Sequence, residues 1–143
     1  MSAHELYNQE ILELARCAHG KGRLDLPAHS IVLNNPLCGD RITLDVAVEH
    51  GTIAALGHVV RGCMLCDAAA SWLGLHAPGC GLAEAAELET TVRGLLSSTA
   101  DDVADDARNL MVFSPVAPFR ARHRCVTLPF EALVALISDL SAG

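Results

Sequence analysis

Three cysteines in three separate segments set the main constraint on how this chain can fold. They are Cys38 in Asn35-Pro36-Leu37-Cys38-Gly39-Asp40, Cys63 in Arg61-Gly62-Cys63, and Cys125 in His123-Arg124-Cys125-Val126-Thr127-Leu128. Each falls at the seam between two expected elements, on a turn or at the mouth of a helix. A side chain there can point at a shared centre without disrupting a core. A fold that brings three such seams together builds a metal or sulfur site.

The remaining sequence bounds what such a site can serve. The chain has 143 residues, 51% of them hydrophobic, which suits one domain spanning 1–143 with a real core. A formal net charge of -7 argues against a nucleic-acid partner, which needs a basic face to neutralise phosphates. The opening Met-Ser-Ala-His-Glu lacks the positive start and apolar stretch of a signal peptide. No apolar run approaches the ~18 residues of a membrane span. A soluble cytoplasmic protein with no membrane association is expected. In that reducing compartment the six cysteines are expected to be ligands, reactive thiols or small buried hydrophobes rather than a disulfide framework.

The pattern predicts an α+β fold, a small antiparallel sheet packed against several helices. Leu6, Ile11, Leu14, Ala15 and Ala18 recur at helical spacing, and Gly20-Lys21-Gly22 ends that helix. Ile42, Leu44, Val46 and Val48 alternate with Thr43, Asp45, Ala47 and Glu49, as in a strand with one buried face. His50-Gly51 turns the chain into a returning strand over Thr52 to Val59, and a short strand near Ser30 to Leu33 completes the sheet. Helices are expected over Met64 to Leu75 and Leu82 to Leu96, with Pro78-Gly79-Cys80-Gly81 between them. The acidic segment Asp101 to Leu110 reads as a short capped helix. Thr127 is placed as the cap of the last helix, with Pro129 in its first turn and Phe130, Leu133, Leu136, Ile137 and Leu140 on its apolar face.

On this map Cys63 and Cys125 both precede helices, whose partial positive N-termini favour a thiolate. Arg120, Arg122 and Arg124 concentrate charge beside Cys125, which should lower its pKa further. Gly39 supplies the freedom for Cys38 and Asp40 to turn toward one centre. Three thiolates and a carboxylate make a tetrahedral zinc site with a formal charge of about -2, the carboxylate being the most exchangeable ligand.

At these residues the chain resembles the NifU/IscU/SufU group of iron–sulfur cluster assembly proteins. The likeness begins near Tyr7-Asn8-Gln9-Glu10-Ile11, runs through Asn35 to Ile42, continues at Arg61-Gly62-Cys63 with Ala69-Ala70-Ser71 behind it, and ends at Cys125-Val126-Thr127-Leu128. Within the group it looks like the SufU branch. IscU-type scaffolds place a histidine directly before the third cysteine, where this chain has Arg124, with His123 one residue further away. The extra length around Ser97 to Phe113 corresponds to the insertion typical of SufU. The resemblance implies zinc held by Cys38, Asp40, Cys63 and Cys125, and sulfur accepted on Cys38 from a SufS-like cysteine desulfurase. Arg122 matches the arginine three positions before the third cysteine in SufU.

Cys66 departs from the pattern by forming Cys63-Met64-Leu65-Cys66. One helical turn from Cys63, it could serve as a spare ligand or resolving thiol. Cys17, Cys80 and the remaining histidines have no partner at ligand spacing and read as packing or surface residues. Two functions are then in view. One is a zinc-bound sulfur acceptor, a sulfurtransferase partner of the desulfurase rather than a stand-alone enzyme. The other is a scaffold whose cysteines hold a nascent [2Fe–2S] cluster for a downstream scaffold or apo iron–sulfur protein. A purely structural zinc module fits less well, because closed structural sites rarely use a carboxylate.

Overall fold

The computed structural model describes residues 9–25, 29–36, 39–97 and 110–142. Among them α1 is Gln9–Cys17, β1 His29–Asn35, β2 Asp40–Glu49, β3 Thr52–Arg61, α2 Met64–His76, α3 Leu82–Ser97 and α4 His123–Ala142. Short 3₁₀ segments at Leu110–Val116 and Arg120–Arg122 lead into α4. The expected α+β architecture is present, with an antiparallel sheet in the order β1-β2-β3. The acidic segment read as a helix lies outside the described residues, apart from Leu110, which opens the first 3₁₀ segment.

The β2–β3 hairpin turns where the sequence said it would. His50 and Gly51 both take positive φ, 54° and 75°, the turn geometry that matches the twist of the flanking strands. Even-numbered β2 residues face inward, so Ile42, Leu44 and Val46 are fully buried. α2 covers β3, and α4 covers β1 and β2 while packing on α2 and α3. Trp72, Phe130, Phe113 and Leu133 fill the space between the layers.

Three expectations need correction. A register shift between Ala47 and Val48 re-phases the strand, so Ala47 is buried and Val48 only half-buried. Asp45 lies on the outer face, as its parity requires, yet it is buried. The chain after α1 wraps round the β3 edge and covers this half of the outer face, with His58 N–H donating to the Gly20 carbonyl at 3.0 Å and Gly22 N–H to that of His58 at 2.7 Å. Gly57 opposite Asp45 permits the crossing, because a Cβ there would lie 2.5 Å from the Gly22 oxygen. Finally, α4 begins at His123, about a turn earlier than the Thr127 cap implied. Thr127 sits inside the helix and its hydroxyl donates to the Glu131 carboxylate at 2.8 Å. Pro129 is interior as well. Its missing N–H leaves the Cys125 carbonyl without the usual i+4 partner.

Candidate metal centre

The site forms at one end of the sheet. Asp40 opens β2 opposite Asn35 at the end of β1, and the connection between the strands is closed by Gly39 N–H donating to the Asn35 carbonyl at 2.8 Å. Gly39 takes φ +77°, a conformation that L side chains resist, so the glycine before Asp40 is required by the backbone. Asp40 is 2% exposed, on the same inward parity as Ile42. β3 ends at Arg61, and Gly62 lies against the Asp40 side chain. A Cβ on Gly62 would stand 2.3 Å from Oδ1.

Cys63 then occupies the N-cap position of α2 with extended φ/ψ of -79° and 167°. Its backbone N–H donates to Asp40 Oδ1 at 3.1 Å, and its Sγ lies 4.0 Å from Oδ2. Cys125, fully buried, comes from the first turn of α4. One donor atom each from Asp40, Cys63 and Cys125 lies within 4.8 Å of the others, the only such trio of metal-binding side chains among the described residues. In a tetrahedral zinc site the oxygen-to-sulfur edge is roughly 3.6 Å. The 4.0 Å between Cys63 Sγ and Asp40 Oδ2 lies a few tenths of an ångström above that edge, and the donor set is one that zinc accepts. Asp40 strengthens the fit, because a carboxylate removed from water needs compensating positive charge.

Cys38 lies outside the described residues. Cys66 is fully buried in the core and is not part of the trio. Burial, reinforced by Asp40, Cys63 and Asp67, pushes its thiol well up. Cys125 differs from its sequence reading. Its thiol is raised, first by burial and then by hydrogen bonding with Asp40 and Cys63, so the nearby arginines do not make it acidic. Arg124 instead reaches Glu131 at 3.4 Å, and exposed Arg122 ends the 3₁₀ segment. His123 Nε2 is bound to the Ala117 carbonyl at 2.8 Å.

Sequence reasoning missed a pair that only strand register creates. Arg41 and Arg61 stand directly opposite each other on β2 and β3, beside Asp40 and two residues before Cys63. Counting back from the turn would have set Arg41 opposite Val60; the register shift at Ala47 and Val48 brings Arg61 there instead.

Residues 6–124 match the family model of the NifU-like N-terminal domain. The zinc-dependent sulfurtransferase SufU of Bacillus subtilis (strain 168) is 28% identical over 96% of this chain and 93% of its own length. The iron–sulfur cluster assembly scaffold protein IscU of Streptococcus pyogenes serotype M1 is 26% identical over 91% and 81%. The crystal structure of the N-terminal part of a nitrogen-fixing NifU-like protein from Brucella abortus superposes with a TM-score of 0.88 at 25% identity, covering 98% of this chain and 97% of that one.

Proposed function

Because this chain belongs to the NifU-like N-terminal domain family of iron–sulfur cluster assembly proteins, we propose that it accepts sulfur from a cysteine desulfurase, using a zinc site of Cys38, Asp40, Cys63 and Cys125. The convergence of Asp40, Cys63 and Cys125 from three elements carries this reading. Bound zinc supplies the positive charge that keeps clustered cysteines as thiolates at neutral pH.

The chain's own residues do the rest. Asp40 is the hardest and most exchangeable donor, and Gly39 before it takes a positive φ that favours glycine. Cys63 and Cys125, each in or capping the first turn of a helix, hold their positions. The Cys38 thiolate attacks the outer sulfur of the donor's persulfide. The donor's sulfur–sulfur bond breaks, the donor cysteine leaves as a thiolate, and Cys38 carries the persulfide to a downstream scaffold or apo-protein. The five described cysteines are free thiols, in keeping with work in the reducing cytoplasm. No helix among the described residues is long and apolar enough to cross a membrane.

The test is anaerobic purification followed by metal analysis, visible absorption, and mass mapping after reaction with the desulfurase and cysteine. Colourless protein with one zinc, lost in Cys63→Ala and Cys125→Ala, and added sulfur first on Cys38 is the expected result. Likeness to a protein named as a scaffold supports a second reading, in which the same cysteines hold a [2Fe–2S] cluster with Asp40 as the labile ligand. Brown protein containing iron and sulfide, with sulfur first on Cys125, would establish that reading instead.

A further inference from the structure

Among the described residues, the chain after α1 covers the outer face of the sheet near Asp45 and Gly57. In the half next to the metal centre no described segment lies over the sheet. Register sets two cross-strand rows there: Asn34, Arg41 and Arg61 at the rim, then Val32, Thr43 and Val59. Asn34, Arg41 and Arg61 are exposed, and Val32 is 44% exposed.

Two guanidinium groups directly opposite each other repel, and this arrangement is unfavourable in an isolated sheet. Neither guanidinium has a hydrogen bond or ion pair among the described residues. Arg16, Arg23, Arg93 and Arg124, by contrast, all pair with carboxylates. No described carboxylate pairs with either arginine, and both stand on the strands that deliver Asp40 and Cys63 to the site.

We propose that Arg41 and Arg61, with Val32 and Val59 beside them, form the docking surface for an acidic segment of the sulfur-donating protein. Carboxylates on that segment relieve the repulsion and engage the two forks. The apolar row takes an adjacent side chain, and docking brings the donor's persulfide to the sheet end that carries the site. The proposal rests on the sulfur-acceptor reading and names the residues that select its donor.

Charge reversal tests it. In Arg41→Glu/Arg61→Glu, desulfurase stimulation should need about tenfold more of this protein for half-maximal rate at low salt, with the saturated rate within about twofold of wild type. The difference should shrink as salt rises. Arg41→Lys/Arg61→Lys should restore most of the affinity. Zinc content and melting temperature of each variant check that the fold is intact. Equal half-maximal concentrations for wild type and the double reversal at every salt concentration would overturn the docking role. A wild-type protein that fails to stimulate the desulfurase would instead overturn the sulfur-acceptor reading itself.

Discussion

Asp40 and Asp45 lie on the same strand and are equally buried, at 2% exposure each, yet their surroundings differ. Asp45 is surrounded by donors: Arg23 Nε at 2.7 Å, the Leu24 N–H at 3.1 Å and the Ser30 hydroxyl at 2.5 Å. Burial pushes its carboxyl up, but the hydrogen bonds from Arg23, Ser30 and Leu24 outweigh that and hold it below the usual aspartate value. Asp40 accepts the Cys63 N–H and otherwise faces two sulfur atoms. One buried carboxylate is complete within the protein and ties loop, strand and strand together. The other has one backbone donor and two thiols beside it, a set that a bound cation would complete.

The largest expected effect breaks the complete site. Asp45→Ala should cost about 3 kcal/mol of stability, measured by denaturant unfolding, because it strands the Ser30 and Leu24 donors as well as removing the carboxylate. Asp40→Ala in metal-free protein should cost under about 1 kcal/mol while greatly weakening zinc binding. If both variants lose similar stability without metal, the contrast is wrong. The depressed Asp45 pKa also fixes a sign. Its contribution is full above the ordinary carboxylate range and is lost as pH falls through the lower folded value, so Asp45→Asn should flatten the acid limb of the stability profile.

A smaller effect sharpens the Asp40 side. Gly62→Ala should displace the Asp40 carboxylate, costing about 1–2 kcal/mol and weakening zinc binding. Unchanged zinc affinity would mean that the Gly62 contact does not position the ligand. Smallest in stability, Arg122→Ala should stay within about 0.5 kcal/mol of wild type while lowering desulfurase stimulation. Unchanged stimulation would mean that Arg122, exposed three residues before Cys125, plays no part in meeting the desulfurase.

How far these features could be read in advance follows from the range of the interactions behind them. The hairpin, α2 and α3 were legible because local turn chemistry and periodicity specify them. The burial of Asp45 was not, since alternation gives a side chain's face and says nothing of a distant segment crossing that face. Thr127 and Pro129 imitate the start of a helix, but the chain becomes helical at His123, tolerating the one hydrogen bond that Pro129 removes. Three of the four proposed ligands could be placed on element ends, and the structure brings Asp40, Cys63 and Cys125 together. Arg41 and Arg61 became neighbours only through register, which a linear reading treats as separation.

The supply of ligands from distant parts of the chain has a consequence for its entropy. Asp40 and Cys63 belong to one hairpin, whose closure is local, whereas Cys125 follows roughly sixty residues later. An ion gripping all three is a cross-link across that long loop. As with a disulfide, it would remove freedom from the unfolded chain, by up to about 4 kcal/mol for a loop of this length. Loading the centre would then do more than ready it for chemistry: it would tie the C-terminal helix to the hairpin, so that the unfolded chain itself is shortened by the presence of metal.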